Sequence, residues 1–179
     1  MITVIGIDPG LSATGVGIVR GVGIKIDGFS FGSIQTSKNL PLPSRLNQIF
    51  SNLVKVLKDE KPDLMVVEDV FSIDKFPNAG ITLGKVTGVV LLAGCRLEIP
   101  VVEISVRESK QVLTGNGNAT KAQLETAVRG LLNLAAPIRP YHASDAMGLA
   151  LVGLFRHNHH GLKKTPYKKK NSEYNDRVP

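Results

Sequence analysis

The chain is 179 residues long, with 42% hydrophobic and 21% charged residues; that composition excludes a disordered polyelectrolyte and fits one domain with a real core. A single cysteine, Cys95, excludes an internal disulfide framework and a zinc site built on several cysteines. The formal net charge of +7 points toward a polyanionic partner, and residues 161–179 supply part of it with six Lys/Arg against two acids.

The opening "MITVIGIDPG" has no basic n-region and no cleavage-like site, so no secretory signal is read there. "ITVIGID" is a short β-rich run ended by Pro9-Gly10. "TGVGIVR" alternates before a glycine-rich break at 21–23, and "IKIDGFSFGSIQT" alternates again, so residues 2–36 are expected to form three short strands joined by tight turns. Pro41 and Pro43 introduce "SRLNQIFSNLVKVLKDEK", where Leu46, Ile49, Phe50, Leu53 and Leu57 form an amphipathic stripe at helical spacing.

"PDLMVVEDVF" reads as a buried fourth strand running into the loop "SIDKFPN". A glycine-punctuated helix is expected over 78–97; its "VVLLAG" is the longest apolar run, far short of the roughly 20 residues of a membrane span, so no membrane partner and a cytoplasmic location are expected. "PVVEIS" is a fifth strand, two helices follow over about 105–113 and 119–134 around the turn "TGNGN" with Asn118 as a candidate cap, and a last helix starts near His142. Three meandering strands followed by α/β crossovers predict an α/β fold, a mixed five-stranded sheet flanked by helices on both faces. It is expected to occupy residues 1–158, with a basic, disordered tail over 159–179.

Four residues then draw together. Asp8 ends the first strand, and Glu68 ends the fourth after the apolar "LMVV". A right-handed crossover that lays strand four parallel beside strand one makes their carboxyl ends neighbours. Half-buried carboxylates side by side are costly unless protonated or holding a cation. In "PYHASDAMGLAL", His142 and Asp145 stand three apart at the mouth of an apolar helix and share a face. Asp8, Glu68, His142 and Asp145 together make an oxygen-rich set suited to Mg²⁺ or Mn²⁺, with the imidazole moving it slightly toward Mn²⁺. Two such ions roughly 3.5–4 Å apart activate a water and stabilise the leaving oxygen of a phosphodiester. On spacing alone the bland alternatives stay open: strand-end acids that solvate loops, and a solvated His in a capping region. Asp69 alternates away from Glu68 and is read as solvated or paired. The "HNHH" run at 157–160 is read as a solvated helix end.

The pieces "GIDPGLSATGVGIV", "LPSRL", "VVEDVF", "SKQVLTGNGNATKAQL" and "HASDAMGLAL" resemble, in order and spacing, the RuvC family of bacterial Holliday-junction resolvases, up to about residue 157. The resemblance implies an RNase H-like fold, a homodimer, and Mg²⁺-dependent nicking of two opposed strands of a four-way junction in DNA recombination and repair, leaving 5′-phosphate and 3′-hydroxyl ends. It implies two Mg²⁺ per active site, with Mn²⁺ as a substitute, and a working partnership with a RuvA–RuvB branch-migration complex. It matches Asp8, Glu68 and Asp145 to the family's metal ligands, and His142 falls where many members place aspartate. Lys110 and Lys121 match lysines used near the scissile phosphate, and Phe71 matches an aromatic residue that stacks on bases at the junction centre.

Read from the residues alone, the two lysines are as consistent with solvated surface charges, although Lys121 in the first turn of a helix is a plausible phosphate cradle. Phe71 and Phe76 are as consistent with core caps. Gly80, Gly84 and Gly88 form one smooth helix stripe, for packing on the sheet or across a dimer. The first turn also resembles that of actin-like ATPases and sugar kinases, which need a second domain this chain is too short to hold. A nuclease for another branched substrate, or a junction-binding module without catalysis, are the remaining alternatives.

Overall fold

The computed structural model describes residues 1–69 and 77–159. Its elements run β1 (Ile2–Asp8), β2 (Ala13–Val22), β3 (Lys25–Gln35), α1 (Leu42–Glu60), β4 (Leu64–Asp69), α2 (Pro77–Arg96), β5 (Val101–Ser105), α3 (Val106–Thr114), α4 (Lys121–Leu131) and α5 (Tyr141–His159). The sheet has the order β3-β2-β1-β4-β5. β2 lies antiparallel to β1 and β3, whereas β4 is parallel to β1 and β5, which is the mixed sheet expected from three meandering strands followed by crossovers.

Strand alternation sorts the side chains into two cores. Ile5 and Ile7 of β1, Val16 and Ile18 of β2, and Met65 and Val67 of β4 pack with Ile49, Leu53 and Leu57 of α1 and Val86, Val90 and Ala93 of α2. Val4, Val19, Leu64 and Val66 point the other way, against Met147, Leu151 and Leu154 of α5 and Leu124 and Val128 of α4. Each of these fully buried aliphatic side chains stabilises the fold by about 1.5–3 kcal/mol relative to exposure. Asp8 and Glu68 follow Val4-Gly6 and Leu64-Val66 in alternation, so both fall on the α5 face, and Asp69 falls on the other.

α5 is apolar nearly all round because it is enclosed: the sheet lies under it, and α3 and α4 lie beside it. It reaches the sheet so closely because the strands beneath it are bare. A Cβ added to Gly6 would stand 2.1 Å from the Ala146 carbonyl oxygen; one added to Gly17 would stand 2.6 Å from the Met147 nitrogen. Helix backbone thus rests on strand backbone.

Two sequence expectations change. α2 is long and apolar enough, by length and composition, to cross a membrane; the window reaches past "VVLLAG" to Ile81, Leu83 and Val86, across Lys85. In the fold it lies along the sheet with Val86, Val90 and Ala93 buried, while Ile81, Gly84, Gly88 and Leu92 face outward. A side chain at Gly84 or Gly88 would meet nothing within 4 Å, so the smooth stripe is not used to approach the sheet. The cap of α4 is Thr120 rather than Asn118: the Thr120 hydroxyl accepts from the Gln123 amide and the Gln123 side chain accepts from the Thr120 amide, a reciprocal capping box. The Asn118 amide instead donates to the Asn116 side chain, 2.9 Å away.

Candidate active site

Asp8 is the last residue of β1, and the β1–β4 ladder pairs Ile7 with Val67. One step further along the parallel ladder, Asp8 and Glu68 emerge side by side on the α5 face, and their carboxyl groups hydrogen-bond each other. The cross-strand partner of Asp8 on β2 is Gly15. A Cβ there would stand 2.0 Å from the His142 carbonyl oxygen. The missing side chain is what lets the first turn of α5 descend beside the acids.

That descent brings His142 onto Asp8. Its Nδ1 lies 2.5 Å from an Asp8 carboxylate oxygen. Asp145, one turn on, takes the Lys121 ammonium at 3.6 Å. The Asp145 side chain is 20% exposed and that of Lys121 76%, so the lysine stands at the solvent edge of the site. Lys121 stands at the start of α4, whose first amides are held by the Thr120–Gln123 box.

Asp8 is pushed up to about 6, chiefly because burial disfavours its charge; the hydrogen bond with Glu68 lowers it, Asp145 raises it and Lys121 lowers it. Glu68 is pushed up to about 8, first by burial, then by the charge of Asp8 and the hydrogen bond to it, with Asp145 adding and Lys121 opposing. Three acids and one lysine leave an excess of buried negative charge, which a proton or a cation must neutralise. Oxygen donors with one imidazole fit a hard divalent ion. Among the described residues no three His, Cys, Asp or Glu side chains form a ready ligand group. Asp8 turns to His142 and Glu68, and Asp145 turns to Lys121, so each donor is occupied by a neighbour.

The structure therefore brings together Asp8, Glu68, His142, Asp145 and Lys121. Lys110 stands on α3, and among the described residues its ammonium joins no ion pair. Phe71, Phe76 and the tail beyond residue 159 lie outside the described residues. The glycine floor was missed at the level of sequence, although Gly15 and Gly17 on one face of β2 and Gly6 on β1 were the available signal.

The family described as Crossover junction endodeoxyribonuclease RuvC matches residues 4–153. A Crossover junction endodeoxyribonuclease RuvC from Brevibacillus brevis is 37% identical over 149 residues, covering 83% of this chain and 89% of that protein. The protein of the same name from Thermotoga maritima is 37% identical over 147 residues, covering 82% and 87%. Among solved structures, T. thermophilus RuvC in complex with Holliday junction substrate superposes with a TM-score of 0.81 at 30% identity, covering 89% of this chain and 96% of that one.

Proposed function

This chain belongs to the RuvC family of crossover junction endodeoxyribonucleases, and from that premise we propose that its rim of Asp8, Glu68, His142 and Asp145 is the centre that cuts four-way (Holliday) DNA junctions. The fold is the RNase H-like α/β fold of that family, and the family's nucleases are metal-dependent. The observation that carries the assignment is the contact between Asp8 and His142: residues 134 apart in sequence meet at 2.5 Å, beside a second buried acid and a lysine.

In this reading Asp8, Glu68, His142 and Asp145 would together hold two Mg²⁺ ions, Asp8 serving both, Glu68 one, and His142 with Asp145 the other; Mn²⁺ would substitute. Bound there, the ions supply an activated water and charge neutralisation at the scissile phosphate. Lys121 leaves Asp145 to meet charge developing on the phosphate oxygens, and Lys110 contacts the DNA backbone nearby. Phe71 stands two residues past Asp69, the last residue of the strand that carries Glu68, and its stacking on an unpaired base would be worth about 1–3 kcal/mol.

The outward α2 face of Ile81, Gly84, Gly88 and Leu92 is the surface we assign to the homodimer, which sets two sites against opposed strands of a pseudo-symmetric junction. Residues 1–158 form the nuclease domain, and the basic segment from 159 onward adds charge favourable to DNA. A RuvA–RuvB branch-migration complex is the partner that would deliver the junction, and the cytoplasm is where these partners meet.

The test is cleavage of a synthetic mobile four-way junction and of linear duplex with Mg²⁺, Mn²⁺ or chelator, by wild type and Asp8→Asn. Paired nicks in the junction alone, lost with chelator and lost in Asp8→Asn while junction binding persists, are expected. Retained cutting by Asp8→Asn would overturn the site; equal cutting of linear duplex would overturn the substrate.

A further inference from the structure

The "LPSRL" stretch was one of the pieces that carried the family resemblance, yet no step of the chemistry uses it. Its arginine, Arg45, stands in the first turn of α1 and reaches the turn that leaves Asp8. Arg45 Nε donates to the Thr36 hydroxyl at 2.8 Å, and its Nη2 donates to the Ser12 hydroxyl at 3.2 Å. Thr36, just past the end of β3 and buried, passes the connection on. Its hydroxyl donates to the Leu11 carbonyl at 2.5 Å, and its amide donates to the Ser12 carbonyl at 3.1 Å. From β2, the fully buried Thr14 donates its hydroxyl to the Gly10 carbonyl at 2.9 Å.

Three successive carbonyls of the Gly10–Ser12 turn are thus each held by a donor from outside the turn. The turn is also the wall beside the site: a Cβ at Gly10 would lie 3.8 Å from the His142 ring. Its placement therefore fixes both the exit of Asp8 and the space left for the imidazole.

We propose that Arg45, acting through Thr36 and Ser12, is a positioning residue that locks the Gly10–Ser12 turn and so sets the geometry of the Asp8–His142 pair. The inference rests on the site assignment above and deepens it. Only arginine can do this, because a planar fork presents two donors at a fixed angle, whereas a lysine ammonium on a flexible stem holds one partner at a time. The hydroxyl of Thr36 both accepts from the arginine and donates to the turn through one atom, which a valine methyl cannot do.

The experiment uses the full-length protein and compares wild type with Arg45→Lys, Arg45→Ala, Thr36→Val and Thr36→Ser. Three readouts are taken: single-turnover cleavage of a four-way junction, metal-free junction affinity with its salt dependence, and Mn²⁺ affinity by electron paramagnetic resonance without DNA. Loosening the turn should slow cleavage by about tenfold to a hundredfold in Arg45→Lys, Arg45→Ala and Thr36→Val alike. Mn²⁺ affinity should fall in parallel, and junction affinity should stay within twofold.

Thr36→Ser keeps the hydroxyl and should restore the wild-type rate. Arg45→Ala combined with Thr36→Val should be slower than either alone but by less than the product of the two single effects, since both act on one turn. Weakened junction binding and a shallower salt slope in Arg45→Ala, with Thr36→Val unaffected, would mean that Arg45 grips phosphate, and the proposal falls. Wild-type cleavage and Mn²⁺ affinity in Arg45→Lys and Thr36→Val would overturn it as well. Failure of the underlying site assignment reads out separately, as retained cutting by Asp8→Asn.

Discussion

Gly15→Ala is the smallest change that attacks the site through the fold. The new methyl would lie 2.0 Å from the His142 carbonyl oxygen, 2.5 Å from its carbonyl carbon and 3.1 Å from its Cβ. Ordinary contact needs about 3.4 Å, so strand and helix must part by roughly 1.4 Å, and Gly15, paired with Asp8 on one side and Ser33 on the other, cannot yield alone. The first turn of α5 moves instead, taking His142 and Asp145 from Asp8 and Glu68. A displacement near 1 Å at a catalytic centre costs on the order of a hundredfold in rate. Overpacking costs about 1–3 kcal/mol, which lowers the melting temperature by roughly 2–4 °C per kcal/mol in a domain of this size.

The protein should therefore stay folded, bind junction DNA and cut it about a hundred times more slowly under single-turnover conditions. Gly130→Ala is the matched control: a methyl there meets nothing within 4 Å, and removing a helical glycine should stabilise α4 by about 0.5–1 kcal/mol with cleavage unchanged. Wild-type cutting by folded Gly15→Ala would refute the claim that glycine contact sets the site.

Three further outcomes follow from the same geometry. In metal-free protein, Asp8 and Glu68 hold protons to about pH 6 and 8 that the unfolded chain releases near 3.8 and 4.5; the native state binds more protons across that window, so stability falls as pH rises through it. Glu68→Gln should flatten that slope in thermal melts from pH 4.5 to 8.5 and melt above wild type at pH 8 without metal; an unchanged slope would contradict the buried-pair reading. Imidazole ligates metal only when neutral, so His142→Asp should extend cleavage to lower pH, and superposable pH–rate profiles would remove His142 from the ligand set. Gly88→Leu faces open space within its own chain and should leave the far-UV circular dichroism of the folded chain unchanged while splitting the proposed dimer in sedimentation velocity; an intact dimer would move the proposed interface off α2.

Much of this was legible in the sequence because short-range periodicity and chain topology carried it. The period-2 pattern put Val4, Gly6 and Asp8 on one face and Leu64, Val66 and Glu68 on the same one, and right-handed crossover made the two acids neighbours. The helical spacing of His142 and Asp145 did the rest. What stayed hidden depends on distance through space. The Arg45–Thr36–Ser12 chain joins α1, the end of β3 and the turn after β1, and no spacing rule pairs those residues. Gly15 and Gly17 read locally as a flexible alternating strand; their meaning, a seat for helix backbone, needs α5 above them. The cap of α4 is legible as well: Thr120 followed three residues later by Gln123 is the box signature, whereas Asn118, the expected cap, is engaged in a local turn with Asn116.

Whether Asp8, Glu68, His142 and Asp145 hold metal is decided by an anomalous-diffraction map of Mn²⁺-soaked crystals of the intact chain. Manganese peaks are expected within ligand distance of these four side chains, with Lys121 drawn off Asp145. Manganese bound elsewhere on the protein, with Asp8 still hydrogen-bonded to His142 and Glu68, would contradict that ligation.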